Sequence, residues 1–93
     1  MLVGTLKMRI LLRQARSLKD KRRVVKSLKD RVRNRFEVSV AEVDGNDRVQ
    51  QAVLGVAVVG NEKRHIDSVL TNIVNFTNLF RGCELTDVER EIF

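Results

Sequence analysis

Ten of the twenty residues from 16 to 35 are lysine or arginine, against two acids, Asp20 and Asp30. Side chains of this type hold anions, and an excess on this scale suggests a polyanion or an acidic partner. At helical spacing Arg16, Lys19, Arg23, Lys26 and Arg33 gather on one face, with Arg22 and Lys29 at its border. Like charges four apart, as in Lys19 and Arg23, weaken an isolated helix by a few tenths of a kcal/mol, roughly. Two readings stay open: contact with the phosphates of structured RNA or a ribosomal particle, or a solvated face without a ligand. Lys21 differs, because its wheel position falls among the apolar residues. Together with the Ser17 hydroxyl and the free amides of a helix start it makes a candidate anion site. A lysine that snorkels to solvent, or pairs with a nearby carboxylate, fits the same position.

Other chemistries find little in the chain. One histidine and one cysteine are too few for a structural zinc site, and Cys83 has no partner for an internal disulfide. His65 sits at a helix start with no nucleophile pattern beside it, so it reads as a surface histidine. Cys83, between Gly82 and Glu84, has no cationic neighbour to lower its pKa and reads as a structural thiol. The five glycines are isolated, so no phosphate-cradling glycine loop exists. The sequence points to no catalytic residue, metal or cofactor, and a non-enzyme is expected.

The elements that must carry the basic face follow from periodicity. Residues 2–13 alternate, with Gly4, Leu6, Met8, Ile10 and Leu12 on one side and Thr5, Lys7, Arg9, Leu11 and Arg13 on the other, which predicts a half-buried strand. Ser17-Leu-Lys-Asp20 starts a helix over 17–35, its stripe formed by Leu18, Val25, Leu28 and Val32 with Val24 at the margin. Alternation returns from Phe36 to Val43, and Asp44-Gly-Asn-Asp47 predicts a turn. Residues 52–59 are apolar on both faces, as in a central strand. Asn61 is placed to cap a helix over 62–81 with Ile66, Val69, Leu70, Ile73, Phe76 and Phe80 inward and Gly82 beyond its end. Residues 83–93 predict a last strand, with a bulge near Thr86-Asp87 because Cys83 and Leu85 are out of phase with Val88 and Ile92.

The order βαββαβ predicts an α+β fold of the ferredoxin-like type, a four-stranded antiparallel sheet with two helices on one face. Ninety-three residues correspond to a single domain over 1–93. No apolar run is long enough for a membrane span, and the N-terminus carries no charged leader, so a cytoplasmic protein is expected. The formal charge of +6 divides into +11 over residues 1–35 and −5 over 36–93.

Three stretches, Ser17-Leu-Lys-Asp-Lys-Arg22, Leu28-Lys-Asp-Arg31 and Val38-Ser-Val-Ala-Glu-Val43, resemble the YlxP-like family of small bacterial proteins, whose function is unassigned. The resemblance covers nearly the whole chain. It implies a ferredoxin-like fold and, from the gene's frequent place near genes for translation initiation and ribosome maturation, a link to ribosomes. Relatives tend to carry a tryptophan after the acidic turn, where this chain has Asp47-Arg-Val49.

The uncovered sheet face brings Thr5, Lys7 and Arg9 against Val53, Gly55, Ala57 and Val59. With no Trp or Tyr, and with the four Phe at 36, 76, 80 and 93, base stacking on this face is not expected. The apolar residues Val53, Gly55, Ala57 and Val59 form a candidate interface for a partner or a second copy of the chain. Glu89 and Glu91 are placed to pair with Lys7 and Arg9 across the sheet. The expected function is binding to RNA or a ribosomal particle through the basic helix. The alternative is a self-associating scaffold or regulatory domain, a homo-oligomer without a nucleic-acid ligand.

Overall fold

The computed structural model describes residues 1–93. Its elements are β1 (Leu2–Leu11), α1 (Leu18–Phe36), β2 (Ser39–Asp44), β3 (Gln51–Gly60), α2 (Lys63–Asn78) and β4 (Glu84–Ile92). The sheet order is β2-β3-β1-β4, and every neighbouring pair is antiparallel. This is the ferredoxin-like arrangement that the βαββαβ order predicts.

Alternation on β1 places Leu6, Met8 and Ile10 on the helix-covered face, opposite Val56, Leu54 and Ala52 of β3. Val25, Leu28 and Val32 of α1 and Ile66, Leu70 and Ile73 of α2 close over them in one buried cluster. Strand β1 and helix α2 approach closely at Gly4, where any Cβ would overlap Ile66 Cγ2. Leu18 is only half-buried, so the α1 stripe begins in earnest at Lys21.

Three boundaries differ from the sequence reading. Phe36 ends α1 rather than opening a strand, and Glu37 closes the helix in the left-handed region at φ 53° with its N–H donated to the Arg33 carbonyl. Helix α2 stops at Asn78, which leaves Phe80 in the following turn, while Gly82 takes φ 92°. The N-cap of α2 is Glu62, with no side-chain bond, so Asn61 does not serve as cap. The expected bulge is present: Arg9 faces Asp87 and Ile10 faces Leu85, which leaves Thr86 over. That extra residue returns Leu85, Val88 and Ile92 to the same face, where all three pack on the core.

Candidate functional site

The first turn of α1 satisfies itself. Asp20 N–H donates to the Ser17 cap Oγ at 3.1 Å, and the Asp20 carboxylate accepts from Arg16 N–H, one residue before the cap, at 3.1 Å. A carboxylate of the chain therefore already occupies the positive end of the helix dipole. Lys21 is 1% exposed, and its Nζ donates to the carbonyls of Gly45 at 2.7 Å and Arg48 at 2.8 Å, with Asn46 O at 3.4 Å. Glu42 Oε2 lies 2.8 Å from the same nitrogen. The contact with Glu42 is an ion pair, since Glu42 Oε2 lacks the alignment of a hydrogen bond. The anion site expected at Ser17 and Lys21 is thus corrected: the hydroxyl is a cap, and the lysine is a buried anchor paired with a carboxylate.

The basic face divides into two kinds of cation. Lys26 Nζ donates to Asp30 Oδ2 at 2.7 Å, and Arg33 reaches Asp30 Oδ1 at 3.3 Å and the Val40 carbonyl of β2 at 3.0 Å. The Lys26 hydrogen bond holds the Asp30 carboxyl below the usual carboxylate range, opposed by desolvation and helped by the charges of Lys26, Arg33 and Lys29. Arg16, Lys19, Arg22 and Arg23 are exposed and Lys29 is half-buried, and none has a carboxylate within 4 Å. Within this face the free positive charge therefore lies toward the start of α1, while Lys26 and Arg33 are partly neutralised.

A second cationic group was not singled out in the sequence. Arg31 and Arg35 on α1 and Arg81 after α2 line an open cleft of about 810 Å³ together with Phe36, Phe76 and Phe80. The Arg35 guanidinium carbon lies 5.7 Å from the Phe36 centroid and 5.4 Å from that of Phe76, and the Arg31 carbon lies 5.8 Å from Phe80. Phe36 meets Phe76 edge-on at 5.9 Å, and Phe80 follows at 6.0 Å. The signal was the apolar position of Phe36, Phe76 and Phe80 beside Arg31 and Arg35. It became a site only when the ends of the two helices met.

On the open sheet face Lys7 pairs with Glu89 and Arg9 with Asp87, each at 3.8 Å, while Glu91 faces Thr5. Asp87 rather than Glu91 therefore completes the second pair. The interface candidate is also narrowed. Val53, in register between Arg9 and Asp44, is 5% exposed and not available to a partner. Gly55 is covered by Val43, whose Cγ1 would lie 2.9 Å from a Cβ at that position. Ala57 and Val59 stay exposed. At the far end of β4, Arg13 Nε donates to Glu84 Oε2 at 2.7 Å, and this bond and its charge hold the Glu84 carboxyl low. Burial raises the Cys83 thiol to about 11, so it is protonated at neutral pH.

A two-layer ferredoxin-like domain with a basic helix is the class that these features define. The chain belongs to the family described as proteins of unknown function DUF503, whose model matches residues 3–90. It is 30% identical over 92 residues to the uncharacterized protein YlxP of Bacillus subtilis (strain 168), a match spanning 99% of this chain and 100% of that one. Among solved structures it is similar to a de novo designed protein with ferredoxin fold, LFR1 1, at a TM-score of 0.60 and 16% identity over 99% of this chain and 85% of the other. The designed protein Foldit4 is similar at a TM-score of 0.58 and 17% identity over 100% and 97%. These two share the fold, and no function follows from them. No helix is long and apolar enough to cross a membrane.

Proposed function

We propose that this protein binds structured RNA, free or in a ribosomal particle, through the phosphate backbone along α1, without catalysing a reaction. The observation that carries this reading is the set of exposed, unpaired cations formed by Arg16, just before α1, and Lys19, Arg22 and Arg23 on its first half. An acid in the same stretch, Asp20, is already engaged as a capping group and offers them no partner. A helix built for solvent alone gains from alternating charges four apart, whereas this one keeps Lys19 above Arg23. Phosphates relieve that repulsion and return condensed counterions to solution.

The test is a salt titration of binding to a fluorescent RNA hairpin. Four phosphate contacts predict a slope of about −3 to −4 in log K against log salt. Reversing Arg22 and Arg23 to Glu weakens binding to every RNA sequence alike, because phosphate contacts position a protein without reading bases. The fold survives, since both side chains are exposed. Binding by the reversed protein equal to that of the parent refutes the proposal.

A further inference from the structure

The cleft between the ends of α1 and α2 has a composition that phosphate binding along α1 does not use. Three of the four phenylalanines in the chain meet there, all half-buried, and no carboxylate lines it. Arg31, Arg35 and Arg81 are exposed and have no carboxylate within 4 Å. Compensation of a helix dipole accounts for a cation in the last turn of α1, such as Arg35. It does not account for Arg31 and Arg35 lying against phenyl rings, or for the absence of any acid. Asn72, Asn75 and Leu79 complete the lining, all exposed; Leu79 adds apolar surface, and a carboxamide offers a donor and an acceptor side by side.

We infer that this cleft takes an unpaired nucleobase from a single-stranded stretch of RNA. A guanidinium held against a phenyl ring is a platform on which a base stacks, and the remaining arginines reach the flanking phosphates. Asn72 and Asn75 are placed to meet the polar edge of the base. An acidic peptide would satisfy the arginines but would leave the aromatic floor and the carboxamides unused. The inference rests on the RNA reading of α1 and adds to it a preference: phosphates of any RNA along the helix, and a splayed base at its end.

Fluorescence anisotropy with four probes tests it: a single-stranded oligoadenylate, an RNA duplex of the same length, inorganic polyphosphate of matched charge, and a glutamate–tyrosine copolymer. Arg35→Lys keeps the charge and removes the planar group. It should weaken binding of the single strand about tenfold, the scale of one lost stacking contact, and leave duplex and polyphosphate unchanged. Asn75→Asp, at an exposed position, places a carboxylate in the cleft and should weaken the single strand as well. Circular dichroism of both variants confirms the fold. Equal binding of the single strand by parent and Arg35→Lys overturns the base site, as does a parent that binds duplex as tightly as single strand. Copolymer binding as tight as single-strand binding, with the same sensitivity to Arg35→Lys, overturns it in favour of an acidic protein partner. In those cases duplex and polyphosphate binding that is lost on reversing Arg22 and Arg23 leaves the α1 reading standing. Conversely, a single strand sensitive to Arg35→Lys, with no binding of duplex or polyphosphate, sustains the base site and refutes the α1 reading.

Discussion

Lys21 is the residue on which the first turn of α1 and the turn after β2 depend together. Its ammonium replaces water with the carbonyls of Gly45, Asn46 and Arg48 and the carboxylate of Glu42, which is itself 15% exposed. Such a pair need not stabilise the fold relative to well-packed apolar residues, but removing one partner leaves a buried charge uncompensated. Lys21→Met removes the ammonium from Glu42 and from three carbonyls at once, and it should lower the unfolding free energy by about 3–5 kcal/mol. Glu42→Gln leaves the turn carbonyls their donor, and its cost should be about 1–2 kcal/mol. Urea denaturation of the two variants decides: equal losses would mean that the carboxylate, not the turn, is what Lys21 holds. The position of Lys21 among Val25, Leu28 and Val32 was legible in the sequence, and so was a carboxylate partner as one of its readings. Glu42 was not legible as that partner, because only the packing of β2 beside α1 brings residues 21 and 42 together.

At the scale of elements, most of the fold was written in periodicity, and its failures lie at ends where two periods overlap. Phe36, Val38 and Val40 alternate as a strand does, yet Phe36 also completes the helical stripe after Val32. The helix prevails there because Phe36 then meets Phe76, a contact between elements that no local pattern contains. The bulge at Thr86 was legible for the opposite reason: Leu85 and Val88 can share one buried face only if a residue is spare. Ending α1 one residue later places a glutamate in the left-handed region, at φ 53°. A non-glycine residue there costs about 1–2 kcal/mol, partly offset in a glycine variant by its greater freedom when unfolded. Glu37→Gly should therefore raise stability by about 0.5–1 kcal/mol, read as a higher urea midpoint at unchanged slope. A lower midpoint would show that the Glu37 side chain contributes more than its backbone costs. For the candidate site, the basic face was legible as a set of residues. Its division was not, since whether Asp30 neutralises Lys26 and Arg33 depends on side-chain rotamers that spacing leaves open.

The whole molecule, 42 × 20 × 19 Å, keeps the basic face and the cleft of its helix layer on the opposite side of the sheet from the open face. The helix layer carries the free cations. The open sheet face carries ion pairs on its β4 side and uncharged residues toward β2, with Ser39, Ala41 and Val43 on the edge strand and Ala57 and Val59 beside them. Val43 is 54% and Val59 64% exposed, an arrangement that favours contact with a second copy as the alternative to RNA binding. The β4 edge is guarded by Glu84, Asp87, Glu89 and Glu91, whereas β2 offers an edge of three small or apolar side chains, which directs any pairing between copies to that side. Because the two surfaces are separate, one substitution can test one without touching the other. Multi-angle light scattering should show a dimer at micromolar concentration, and Ala57→Glu should return it to monomer with the fold intact, since Ala57 is exposed between Thr5 and Ser39. The same variant should bind an RNA hairpin with the salt slope of the parent, because its new charge lies across the sheet from Arg22 and Arg23. A parent that is monomeric at high concentration removes self-association through the sheet as the alternative to RNA binding. An Ala57→Glu variant that stays dimeric would instead move the contact off this face.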